Sequence, residues 1–433
     1  MSSQGVKDSG TVGAWKPTVA YYRSAVVAVG LIAFAVLFRR PDFLVLATPA
    51  AVVATWSVLT RPQRIPSVED WLGHGTIREG DATSWQTDAK GDNIDLITVA
   101  VSDMAWIQRR PNKGSMTAAT SDGVGSIRLH IRSMRWGRRD LEPLQVSAAS
   151  AWGAFEYTAK RPLRSIVTLP TPARFDSSAP VRPTDGLVGS YRSVRPGEGS
   201  EFASVRAFQV GDRMRRINWN RSLRSDELQV NATWADQDTH VALVIDVGDD
   251  LGLSEGLEGN ASSLDITVRA AGAIAEYYLR RGNRVSLRSF DPSVRIAIPP
   301  AAGQAHLRRV LDTLARVNAP VGRFSRSAGR TLSSAEVTVI LSPLASSEAM
   351  ERAVLLGRRG GAVVVVDTLP DHVTEADDPL LALAWRIRLL ERRRELRLAR
   401  ERGIAVSQWS GPGSLDHFLR NVAQQASAPR IRS

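Results

Sequence analysis

The sequence predicts a mixed α/β chain in three parts: an N-terminal transmembrane helical hairpin, a small β-sandwich, and a doubly wound α/β domain. Three observations predict it. Two charge-free apolar runs, 24–38 and 43–59, stand near the start of the chain with four residues between them. Short apolar runs punctuated by Gly, Asn, Asp and Pro follow from Arg61 to about Leu169, as strands joined by turns do. From His240 onward, continuous β-branched runs alternate with stretches of helical period, the pattern of a sheet covered by helices on both faces.

At 433 residues the chain has room for two or three domains, at ~100–200 residues each. With no cysteine there is no disulfide framework, no thiolate metal site and no cysteine nucleophile,. The six histidines are scattered, and none forms an HExxH pair, so a metallohydrolase of that class is not expected. A net charge of +12 favours anionic surfaces, whether lipid head groups or nucleic acid,.

Residues 1–18 are polar and read as a disordered tail. The hairpin occupies 19–60. Its first run gains length from Val19 to Tyr22, with Arg23 able to snorkel,, and so approaches the ~20 residues that a bilayer requires. Only Arg39, Arg40, Pro41 and Asp42 separate the runs, so both ends lie on one side. Five basic residues flank those ends (Lys7, Lys16, Arg23, Arg61, Arg64) against two at the tip, which puts the ends, and the soluble domains, in the cytoplasm of a multi-pass inner-membrane protein. A cleaved signal peptide fits poorly, because a second apolar run follows at once. Pro49 should kink the second helix.

Residues 61–170 form the expected sandwich, with strands in NIDLITVAVS, SIRLHIRSM, LQVSAAS and RSIVTLP. Trp136 and Trp152, each beside a glycine, read as core and corner packing. A Pro- and Ser-rich linker covers 171–190,. Residues 191–239 are the most specialised stretch. Between Tyr191 and Val230 lie eight arginines and five acids, interleaved in a way that favours internal pairing. A glycine loop at Gly197 and Gly199 leads to Asp212, which reads as the N-cap of a short helix. Leu228, Val230, Ala232 and Trp234 then alternate with polar residues as a half-buried strand does,. The four-residue link 236–239 suits an antiparallel hairpin into the next strand, HVALVID,.

The pattern G-x-G-x-E-F, then R-x-aromatic-x-x-G-D-x-x-R-x-I-x-W and S-x-R, resembles the signature of the family catalogued as "domain of unknown function 58". Gly197, Gly199, Glu201, Phe202, Arg206, Gly211, Asp212, Arg215, Ile217, Trp219, Ser222 and Arg224 carry it. Phe208 stands where that family usually has tyrosine, and Leu223 interrupts its usual Ser-Ala-Arg. The missing hydroxyl makes this position one of packing. The resemblance implies a partner, a AAA+ ATPase of the MoxR type, and a role in assembling or maturing protein complexes.

The α/β domain, 240–426, should alternate strands and helices through a closing helix at 415–424, leaving 427–433 as a tail. Its place after the signature and the aspartate ending its first strand resemble a von Willebrand factor A-like domain. In such domains D-x-S-x-S holds a divalent cation through oxygen ligands. Here the residues are Asp246, Val247, Gly248, Asp249 and Asp250. Two readings stay open: Asp246 and Asp250 hold Mg²⁺ at a degenerate site, or Asp246 caps a turn. Helix 385–403 is strongly basic, with Leu383, Ile387 and Leu390 on one face and Arg386, Arg392, Arg393, Arg397 and Arg400 largely elsewhere. It reads as a solvated amphipathic helix or as a surface for the inner leaflet or an acidic partner.

No P-loop and no G-x-S-x-G is present,. The carboxylates best placed for acid and base work, Glu198, Glu201, Asp212 and Asp246, sit among arginines that keep them ionised. The sequence therefore points to a non-enzymatic, membrane-anchored cytoplasmic adaptor without a cofactor, in contact with membrane lipids. The competing reading is a binder of anionic polymers or nucleic acid, which lacks the motifs of nucleic-acid readers.

Overall fold

Apolar sequence on every side makes a helix that no protein core can bury on one face, and the chain begins with two of them. The computed structural model describes residues 13–171, 196–317, 337–371 and 378–409 with positions 373, 414 and 418, except 113, 143, 210, 211, 213, 226, 235–239, 249, 291–293, 295 and 359–361. Helices α1 (Val19–Leu37) and α2 (Asp42–Leu59) are long and apolar enough to cross a membrane. They pack on each other as an antiparallel pair, and most of their large side chains are exposed. Thr18 caps α1 by accepting from the Tyr21 N–H, and Pro49 lies inside α2.

The chain divides into two compact units, Met1–Pro170 with Gly256–Glu258, and Thr171–Glu255 with Gly259–Ser433. Within the expected tail, the described residues 13–18 are tied to the first unit. Trp15 is buried and donates to the Arg64 carbonyl at 2.9 Å, while β1 (Lys16–Pro17) pairs with a strand of the main sheet. One large aromatic outweighs the polar composition around it.

Eleven further strands follow: β2 (Ser67–Leu72), β3 (Thr76–Arg78), β4 (Ala82–Lys90), β5 (Ile94–Ala100), β6 (Ile107–Arg110), β7 (Ser115–Ala119), β8 (Val124–Ser133), β9 (Gly137–Leu141), β10 (Gln145–Ser150), β11 (Phe155–Lys160) and β12 (Arg164–Leu169). They form three sheets, ordered β1-β11-β10-β5-β7, β2-β4-β8-β6 and β3-β12-β9. All three feed one core, which joins Trp85, Leu129 and Ile131 to Ile97, Val146 and Tyr157 and to Leu141 and Ile166. In β8 the pattern is strict, with Ile127, Leu129 and Ile131 buried and Arg128 and His130 exposed, so a slip of one residue would turn the core face to water. At the edge of this core the Asp70 carboxylate is fully buried and accepts from Arg161 Nε at 2.7 Å and Arg164 Nε at 3.2 Å.

The second unit begins with β13 (Pro196–Ala207), α3 (Trp219–Ser225) and β14 (Gln229–Trp234), then runs β15 (His240–Ile245), α4 (Ser263–Arg280), β16 (Arg284–Ser289), β17 (Ala297–Ala301), α5 (Gln304–Leu314), β18 (Val337–Ser342), α6 (Glu348–Arg358), β19 (Ala362–Asp367), α7 (Pro379–Glu401) and β20 (Ala405–Gln408). A six-stranded sheet has the order β17-β16-β15-β18-β19-β20, parallel except for β17 at one edge. Val244, Ile340, Val363 and Val365 pack with α6 and α7 on one face. The alternate residues Leu243, Ile245, Leu341 and Val364 are equally buried; α4 packs on β15, β16 and β18 on this side, and α5 packs on α4.

Two sequence readings change here. The expected hairpin from β14 into β15 does not form, because β15 lies between β16 and β18 and offers no free edge, and β14 pairs with β13 instead. Strand β17 was not foreseen, since Pro299 and Pro300 interrupt it; proline is tolerated where an edge needs no outward donor. The linker expected at 171–190 and the closing helix at 415–424 lie outside the described residues, apart from 171 and 418.

Candidate functional site

Two strands and a short helix make the signature segment. Strand β13 runs antiparallel to β14 in register from Ala207↔Gln229 to Ser204↔Ala232. Thr233 then faces both Phe202 and Gly197, so residues 198–201 bulge from the ladder. The expected glycine loop is this bulge inside a strand. Gly197, Gly199, Glu201 and Phe202 all lie in β13, with their side chains outside the described set; Gly211 is also outside, and of Arg215 only the backbone is described.

Asp212 does not cap a helix. Its carboxylate turns back to β13, where Arg206 donates from Nη1 and Nη2 at 2.7 and 2.6 Å and the Gln209 N–H donates at 2.9 Å. Both side chains are only partly exposed. The Arg206 guanidinium, helped by the Gln209 N–H, holds the Asp212 carboxyl below the usual carboxylate range, and the same bond raises Arg206. A two-pronged guanidinium fork satisfies a carboxylate better than helix amides would, so the cap falls elsewhere. Asn218 takes it: its Oδ1 accepts from the Arg221 N–H at 3.2 Å and its Nδ2 donates to Asn231 at 3.0 Å. The signal was legible, since asparagine is among the preferred N-caps.

Ser222 is the buried residue of α3, where its Oγ donates to the Asn218 carbonyl and accepts from the Gln229 N–H, both at 2.8 Å. It stitches helix to strand. Phe208 is half-buried and its N–H donates to the Leu228 carbonyl. The outward side is the surprise. Met214, Trp219 and Leu223 are 77, 61 and 81% exposed, and Arg224 is exposed beside them. Trp219 and Leu223 are four residues apart on α3 and share one face,. The segment thus holds Arg206, Asp212, Asn218 and Ser222 in internal hydrogen bonds and displays Met214, Trp219 and Leu223.

At the carboxyl edge of the six-stranded sheet, the Asp246 carboxylate accepts from Ser342 Oγ at 2.6 Å and from the Gly248 N–H at 3.2 Å. Asp250 accepts from the Leu264 N–H at 3.1 Å, at the positive end of α4,. Each aspartate already serves a protein donor, Gly248 contributes no side chain, and among the described residues no three His, Asp or Glu converge.

Helix α7 also departs from expectation. Arg386, Arg393, Arg397 and Arg400 stay exposed, but two arginines turn inward: Arg392 is buried against the Asp367 carboxylate and the Pro343 carbonyl, and Arg388 donates to Glu395 at 2.9 Å and to the Ala345 carbonyl at 2.7 Å. Burial pushes the Asp367 carboxyl up, and Arg392 opposes that rise. Leu380, Leu383, Ile387 and Leu390 are all more than half exposed. The carbonyls of Pro343 and Ala345, just past β18, require donors,, and arginine supplies what leucine cannot.

Residues 204–398 match the family described as "Protein of unknown function DUF58", which bears out the resemblance read from the signature. Similar curated sequences include uncharacterized protein Rv1480 of Mycobacterium tuberculosis and uncharacterized protein Mb1516 of Mycobacterium bovis, each 29% identical over 140 residues. The match covers 32% of this chain and 43% of theirs, so less than half the length of these relatives is spanned.

Proposed function

We propose that this chain, which carries a DUF58 domain at residues 204–398, is a membrane-anchored adaptor whose signature segment is bound by a AAA+ ATPase of the MoxR type. The observation that carries this reading is the exposure of Met214, Trp219 and Leu223 on a segment otherwise locked by its own hydrogen bonds. Tryptophan is among the residues most enriched at the hot spots of protein interfaces. The sheet order with one antiparallel edge strand supports a von Willebrand factor A-like domain beside it. The two exposed apolar helices support an anchor in the membrane. A binding role rather than catalysis is favoured because Asp212 and Asp246 are both engaged by internal donors.

The test is a pull-down of the detergent-solubilised chain. Trp219→Ala and Leu223→Ala remove exposed groups and leave the Arg206–Asp212 fork in place. Each is expected to lower recovery of the ATPase roughly tenfold, the loss when an interface anchor worth over ~1.4 kcal/mol is truncated. Unchanged recovery would make the segment structural only. If salt-sensitive nucleic acid were recovered instead, the binder of anionic polymers, suggested by the net charge of +12, would take its place.

A further inference from the structure

The corner between β10 and β11 is built at odds with its sequence. Ala151, Trp152 and Gly153 are consecutive left-handed residues, with φ of 50, 57 and 80°, a conformation in which only glycine is at ease. The Trp152 N–H is fixed to the Asp95 carboxylate at 2.8 Å. The indole so held is 71% exposed, although Trp15, Tyr157 and Phe155 close by are buried in the core.

The same corner holds the mouth of the helical hairpin. Thr18 Oγ1 donates to the Gly153 carbonyl at 2.7 Å and the Thr18 N–H to the Ala154 carbonyl at 2.9 Å, one residue before α1. Tyr21 packs on Phe155 with ring centroids 5.6 Å apart, and the Arg61 guanidinium, just beyond α2, lies 5.4 Å from the same ring. Trp152 therefore stands level with the domain end of both helices. One helical turn inward, Tyr22 and Trp56 are 56 and 51% exposed. Arg23 in α1, and Arg61 and Arg64 after α2, supply positive charge at this end.

We propose that Trp152 is a membrane-interface anchor: the corner 151–154 presses its indole into the lipid head-group layer and completes, with Tyr22 and Trp56, an aromatic ring around the hairpin. Tryptophan and tyrosine collect at that depth because one ring offers both apolar surface and a polar edge. The occupant follows from the tether. If α1 and α2 span a bilayer, a head-group layer passes within a few ångströms of Thr18, and the exposed corner is bonded to Thr18. The inference rests on that spanning reading. It adds that the β-sheet unit lies on the membrane by a fixed contact and does not hang from a free linker.

The chain has no cysteine, so single nitroxide labels can be placed in the full chain in nanodiscs of mixed neutral and anionic phospholipid. Val29→Cys, exposed in mid-α1, reports spanning; Leu163→Cys, exposed beyond the far end of β11, reports water; Trp152→Cys reports the corner. Relaxation by oxygen and by a water-soluble nickel chelate is expected to place 152 between the other two. In parallel, brominated lipid should quench wild-type fluorescence more than that of Trp152→Phe. A label at 152 as water-accessible as that at 163, with 29 in lipid, overturns the anchor and leaves the spanning helices standing. Water at position 29 overturns the spanning reading itself. A label at 152 that is immobile yet open to the chelate assigns the corner to a protein contact and likewise overturns the proposal.

Discussion

Single side chains decide several local questions that spacing leaves open. Trp15 turns a polar tail into an edge strand, and Arg206 draws Asp212 away from a helix terminus that Asn218 then caps. His240 opens β15 with its Nε2 2.9 Å from Ser286 Oγ. Burial first, then the charges of Arg284 and Arg288, press its imidazole below the ordinary histidine value. The sign follows from linkage: as pH falls, the unfolded chain takes up this proton before the folded one. Stability attached to His240 is whole above about pH 6.5 and is lost as pH drops from there toward the folded value. His240→Gln should flatten that decline, measured as the difference in Tm of detergent-solubilised protein between pH 7.5 and pH 5.5. An equal difference in both proteins would remove His240 from the account.

At the scale of elements, α7 shows what periodicity can and cannot say. Its 3.6-residue stripe of Leu383, Ile387 and Leu390 was plain in the sequence and correctly marked a helix. The direction of the stripe was not legible, because it depends on the Pro343 and Ala345 carbonyls, just past β18, that Arg392 and Arg388 reach from another part of the chain. The Arg392–Asp367 pair is nearly buried, at 11 and 10% side-chain exposure. Arg392→Met should cost about 3–5 kcal/mol in denaturant unfolding, because it strands a buried carboxylate. Adding Asp367→Asn should return most of that loss. If the double variant is no more stable than the single one, Arg392 acts through packing alone. Strands with continuous β-branched runs, such as β18 and β19, were legible for the opposite reason: burial on both faces needs no partner to be named in advance,. In the signature segment the fork and the Ser222 stitch join residues six and seven apart in sequence, yet their geometry comes from the β13–β14 register, which a one-dimensional pattern does not contain.

Across the whole molecule, the hairpin and the β-sheet unit act as one body, since Trp15, Thr18 and Tyr21 bond both together. With five basic residues at the ends and two at the tip, the spanning reading places the tip outside and the β-sheet unit inside. A cysteine replacing Arg40 should be labelled by an impermeant maleimide in intact cells, and one replacing Leu163 only after lysis. The reverse pattern would invert the topology and put the soluble units outside the cell. Strand β17 bears on how copies of this chain meet at high local concentration. Sheets with a bare edge recruit one another through their unpaired amides. Pro299 and Pro300 have no amide hydrogen,, so this rim offers a second copy fewer donors and makes a poor template for strand addition.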